Sequence, residues 1–182
     1  MSAVCPADVP IESTTTVVIG AGLPGLAVAS ELSRHGVASI VLEGMGTAGK
    51  RRSVMTDSVS LTERSELLRL LRGYATSHRL DVRPSTMASK LSRDRQQKWV
   101  IHTEQGILQA ESVVLTDCPQ NQVRRFLRGL GLSLGKDLRT SLKSLGLYLV
   151  GVADLLTPST REIVRQAKLV GDAIAGGRML TA

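Results

Sequence analysis

Gly20-Ala21-Gly22-Leu23-Pro24-Gly25 spells G-x-G-x-x-G in the one context where that spacing has a mechanical meaning, between a strand and a helix. Thr14 to Gly20 reads as a short β-branched strand ending on glycine, Leu26 to His35 as a helix closed by Gly36, and Ala38 to Leu42 as a second strand. Strand, glycines, helix and strand make the first half of a Rossmann unit. Gly20 would form the tight turn, Gly22 would let main chain approach a pyrophosphate, and Gly25 would let helix and strand pack closely. A diphosphate there meets unpaired N–H groups and the positive end of the helix dipole. Glu43 follows 18 residues beyond Gly25, where a carboxylate accepts hydrogen bonds from both hydroxyls of an adenosine ribose and repels a 2′-phosphate. The pattern predicts an adenine dinucleotide. NADP is disfavoured; FAD and NAD both stay open.

The remaining chain must supply a sheet for this unit. Residues 62–79 read as an amphipathic helix behind a capping box at Ser60 and Glu63, with Leu67, Leu71, Ala75 and His78 on one side. Leu80 to Arg83 reads as a strand. Trp99–Thr103 and Ile107–Ala110 read as a hairpin turning at residues 104–106, and Ser112–Thr116 and Gly146–Gly151 as buried strands. A helix opens at Ser159, carries Ile163, Ala167, Val170 and Ile174 on one face, and ends at Gly176-Gly177. The fold class is α/β: a Rossmann-like domain whose parallel sheet has helices on both faces, with a small antiparallel β-meander. With 182 residues there is room for one domain with a proper core and not for two of full size, so residues 1–13 read as a flexible leader and 14–182 as the domain.

Composition excludes several classes. Four aromatic residues are too few for a single-strand stacking platform, so dedicated nucleic-acid binding is not expected even at a net charge of +7. No apolar run reaches membrane-spanning length. Cys5 and Cys118 stand far apart in no metal-ligating or redox pattern, so no metal is expected and a reducing, cytoplasmic setting fits. His35, His78 and His102 sit at helix ends or in the meander, where ordinary surface roles suffice. Cys118 falls at the carboxyl edge of the sheet but has no assignable base; Lys50, Arg51 and Arg52 read as loop cations. Catalytic residues are not identified.

Three stretches resemble the flavin-containing monooxygenases and their Baeyer-Villiger-type relatives: Val17 to Leu26 with Val41-Leu42-Glu43; Glu63 to Ala75 leading to Leu80-Asp81-Val82; and Gly146 to Asp154. The resemblance covers most of residues 14–177 and moves the cofactor from NAD to FAD. It implies that Gly151 to Asp154 and the following helix close over the ribityl and pyrophosphate groups, that backbone near Ala88, after the third strand, touches adenine, and that Thr116 lies close to the FAD cleft. The implied cofactor set is thus Gly20, Ala21, Gly22, Leu23, Pro24, Gly25, Glu43, Ala88, Thr116 and Asp154.

The chain also departs from that family. Its members carry a second, NADPH-binding domain between the strands matching Val113–Thr116 and Leu147–Val150, whereas here only Asp117 to Gly146 intervenes, about one crossover's worth of chain. Residues 119–145 therefore read as a short basic linker in that domain's place, with Val123, Phe126, Leu127 and Leu130 on the apolar side of a helix. The loop expected beside the reactive ring is rebuilt as well. Two functions stay open: an FAD-binding oxidoreductase reduced by a redox partner or by substrate, and a flavin-free remnant serving as a binding or assembly subunit, or as a cofactor-independent enzyme. Leucines exposed by loss of a domain could be buried in a homodimer.

Overall fold

Apolar residues on both sides of the strand segments 17–19, 40–42 and 113–115 require burial on both faces, and the chain arranges it by wrapping one sheet around itself and laying helices on its outside. The computed structural model describes residues 9–46, 58–116, 125, 127–129, 142–151 and 159–180. The elements are β1 (Ile11–Ile19), α1 (Leu23–Arg34), β2 (Ser39–Met45), α2 (Ser58–Ser77), β3 (Asp81–Arg93), β4 (Trp99–Thr103), β5 (Gly106–Thr116), β6 (Leu147–Val150) and α3 (Thr160–Leu180). β1 pairs in parallel with β2 and with β5, β2 with β3, and β5 with β6; β4 runs antiparallel between β3 and β5. The pairings β1-β2-β3-β4-β5-β1 therefore close a ring, and β6 extends the sheet from β5.

The ring explains the two longest strands. β3, expected to stop at Arg83, runs on to Arg93 because it leaves β2 and takes β4 as its partner. β5, expected as two pieces, is continuous because β1 pairs with it from Ile107 to Leu115, while β4 and then β6 occupy its other side. β1 itself starts at Ile11 rather than Thr14, extending the sheet into the stretch read as leader; residues 1–8 lie outside the described ones.

Alternation divides the core in two. Val17, Ile19, Ile40, Leu42, Leu91, Ile101, Val113 and Leu115 point into the ring around Trp99, which is fully buried and donates its indole N–H to the Leu145 carbonyl at 2.9 Å. Val18, Val41, Val114 and Val150 point the other way, against α1 and α3, with the leucines of α2 packed on the margin. All three long helices share this face; the ring side is closed by the meander and by Leu127 and Leu142, both buried in short helical pieces. The basic segment is thus anchored in the core at two points. Val123, Phe126 and Leu130 lie outside the described residues.

Local chemistry sets the helix ends. Gly36, at φ 70°, carries the chain out of α1 while the Val37 N–H reaches back to the Leu32 carbonyl. At the start of α3, Ser159 Oγ accepts the Glu162 N–H at 3.2 Å. α2 starts two residues before the expected capping box. The helix begins at Ser58, so Ser60 lies inside it, and the Glu63 carboxylate accepts the Thr160 hydroxyl of α3 at 3.4 Å. No helix among the described residues is long and apolar enough to cross a membrane.

Candidate cofactor site

The glycine turn lies at the carboxyl end of β1, where α1 begins. Gly20 adopts φ 123°, open only to glycine at low cost, and a β-carbon there would stand 2.0 Å from Thr116 Oγ1. A β-carbon on Gly25 would fall 1.6 Å from the Gly20 carbonyl oxygen. The first and third glycines therefore interlock main chain against main chain. Gly22 is the N-cap of α1 in extended conformation and has no side chain to cap the helix. The N–H groups of Leu23 and Gly25, in the first turn, have no intrahelical partner, and Pro24 has none to satisfy. Leu23 and Pro24 are buried, Leu23 in the helix-face core, so the motif offers a ligand its backbone rather than these side chains.

Two backbone bonds tie this turn to β2: Gly20 N–H to the Leu42 carbonyl at 2.9 Å and Ala21 N–H to the Glu43 carbonyl at 3.3 Å. They hold Glu43 beside the turn with its side chain exposed. β2 runs on to Met45, but its pairing jumps from Leu42–Arg83 to Gly44–Met87, so Glu43 faces a bulge formed by Pro84, Ser85 and Thr86. Bulges re-aim side chains next to sites.

Thr116 is 2 % exposed, and its hydroxyl donates to the Ile19 carbonyl at 2.8 Å. It buttresses the turn from β5, directly behind Gly20. Ala88 is placed differently from the expectation. It lies within β3, fully buried, paired with Met45 on one side and Thr103 on the other, and its carbonyl accepts the Gly46 N–H at 2.9 Å. The structure thus gathers Gly20, Ala21, Gly22, Gly25, Glu43 and Thr116 at one sheet edge and draws Ala88 into the strand pairing. Asp154, Cys5, Cys118, Lys50, Arg51 and Arg52 lie outside the described residues.

The histidines are occupied elsewhere. His35 Nε2 lies 2.9 Å from Asp172 Oδ1, joining α1 to α3, and His78 stacks on Tyr74 at 3.8 Å. His102 belongs to β4. Among the described residues no group of His, Cys, Asp and Glu is arranged to hold a metal. The hollows that Ser13, Thr14 and Ala38 line, one shared with Ser39 and Asp81, lie at the amino ends of β1 and β2, away from the glycine turn.

The turn fits a dinucleotide diphosphate: main chain packed too tightly for any side chain, an uncapped helix N-terminus and a carboxylate to one side. A family model described as "FAD binding domain" matches residues 13–146. The chain belongs to that family. It is an FAD-binding domain, and its cofactor is FAD. No curated protein matches. Among solved structures it is similar to a flavin-containing monooxygenase from Stenotrophomonas maltophilia (21 % identity, TM-score 0.44, covering 57 % of this chain and 38 % of that one). It is also similar to the bacillithiol disulfide reductase of Staphylococcus aureus (15 %, 0.43, 58 % and 38 %), and to a cyclohexanone monooxygenase (18 %, 0.43, 59 % and 26 %). The FAD-binding chain spans less than two fifths of the length of these proteins.

One group escaped sequence reasoning. Gln166 of α3, 8 % exposed, accepts the Gly151 N–H on its Oε1 at 2.9 Å and donates from Nε2 to the Glu162 carboxylate at 3.0 Å. Glu162 also takes the Arg165 guanidinium at 2.9 and 3.0 Å, which raises the arginine's pKa further. The helical period places Gln166 beside the core, but its partner is a backbone N–H in a turn that no local pattern marks.

Proposed function

We propose that the chain is an FAD-dependent oxidoreductase of the monooxygenase-like kind, without an NADPH domain of its own, whose flavin is reduced by a partner protein or directly by substrate. The observation that carries this is the interlock of Gly20 and Gly25, which keeps a bare main-chain surface at an uncapped helix N-terminus. The N–H groups of Gly22, Leu23 and Gly25 would face the diphosphate and Glu43 would accept the ribose hydroxyls, with Asp154 as a further contact on the flavin side. Bound FAD supplies the redox chemistry. The protein's own part is to fix the dinucleotide in one orientation and hold its charge. The 30 residues from Asp117 to Gly146 support the absence of an internal NADPH domain, since a dinucleotide-binding domain needs several times that length.

The test is a titration of the purified full chain with FAD, followed by flavin absorbance and fluorescence. Wild type is expected to saturate. Gly22→Val, which places a branched side chain where the diphosphate must lie, is expected to weaken uptake by about 100-fold or more while leaving the fold intact. Wild-type protein that stays colourless in excess FAD overturns the proposal in favour of a flavin-free binding or assembly subunit.

A further inference from the structure

Gly151 ends β6 at the same sheet edge as the glycine turn. The connection is direct: the Thr116 hydroxyl lies against Gly20, and Thr116 pairs with Val150. Gly151 turns away at φ 70°, and its N–H is held by the Gln166 side chain rather than by a strand. The amide orientation is fixed by chemistry, because the Gly151 N–H can only donate and the Glu162 carboxylate can only accept. Val150 packs in the same core as Ile163 and Ala167 of α3, and beyond it Gln166 supplies the hydrogen bond by which α3 holds the turn at the end of β6.

A cofactor with its ribose at Glu43 and its diphosphate over the β1 turn has one direction left for its other half, away from β2. That path crosses β5 towards β6, about 10 Å from β1 at ordinary strand spacing. We propose that Gln166 is a positioning residue for the flavin half of FAD, holding Gly151 so that the β6 rim stays in register with the glycine turn. The proposal rests on the reading that FAD occupies that turn. It assigns Gln166 no contact with the reacting atoms.

The experiment titrates the full chain with FAD and, separately, with ADP, which shares only the adenosine diphosphate half. Gln166→Leu leaves the Gly151 N–H without its partner and is expected to raise the FAD dissociation constant about tenfold, with ADP unchanged within about twofold. Gln166→Glu, an isostere, sets two carboxylates together and is expected to do the same. Adding Glu162→Gln to Gln166→Glu restores a donor between the two side chains, and FAD affinity should return to within about threefold of wild type. Should the leucine variant fail to fold, the isosteric single and double variants carry the test. Unchanged FAD affinity in the single variants, FAD and ADP weakening together, or no recovery in the double variant would each overturn the proposal. Wild type that takes up no FAD would instead sink the parent reading, and this one with it.

Discussion

A methyl group on Gly25 would have to share space with the Gly20 carbonyl oxygen, and that one contact explains more of the site than any side chain does. Ser85 sits under strain of another kind. It holds φ 62° without being glycine, in the bulge opposite Glu43. Left-handed backbone at an L-residue costs about 1–2 kcal/mol, so Ser85→Gly should raise stability by a few tenths to about 1 kcal/mol, after glycine's greater freedom in the unfolded chain is offset. Urea unfolding measures it, and a destabilised variant would mean that the serine side chain contributes more than its backbone costs. The gathering of Gly20, Gly25 and Glu43 at one sheet edge was legible in the sequence because a strand, a tight turn, a helix and a second strand fix their spacing. Thr116 was legible only by resemblance. Its bond to Ile19 joins residues 97 apart, and such a pairing leaves no local trace.

At the level of elements, short β-branched strands and the faces of the helices could be read directly, whereas β3 could not. Pro84, Ser85, Ser89 and Ser92 speak against a strand of 13 residues, and it exists because β2 and β4 each supply a partner for half of it. The amino end of the ring shows the same dependence. β2 first pairs at Ser39, opposite Thr16, so β1 from Ile11 to Thr15 lacks a β2 neighbour. Arg83 reaches across to both Glu12 oxygens at 2.9 Å and to Asp81 at 2.8 and 2.9 Å. Hydrogen bonds to Asp81 and then Glu12 hold its guanidinium still more firmly protonated. The carboxylates are about half exposed, so solvent screens the gain. Arg83→Met should cost about 1 kcal/mol, and the difference should shrink in 1 M salt. A loss several times larger, insensitive to salt, would show that the cluster behaves as a buried one.

For the molecule as a whole, FAD bound as proposed would touch α1 and the strands β1 and β2, which the ring joins to every other strand, so cofactor binding should stabilise the domain as a unit. At a free FAD concentration 100 times the dissociation constant the added stability is about 2.7 kcal/mol, or roughly 5–10 °C in Tm for a chain of this size. Differential scanning fluorimetry with and without FAD measures this, and Gly22→Val should abolish the shift without moving the baseline Tm by more than a few degrees. A shift that survives the substitution would place the ligand elsewhere. The side-by-side pairing of β5 and β6 carries a consequence for tolerance of change. The end of β5 at Thr116 and the start of β6 at Leu147 are locked to adjacent rails of one lattice, so the connection between them can change length at small cost while the lattice keeps its register.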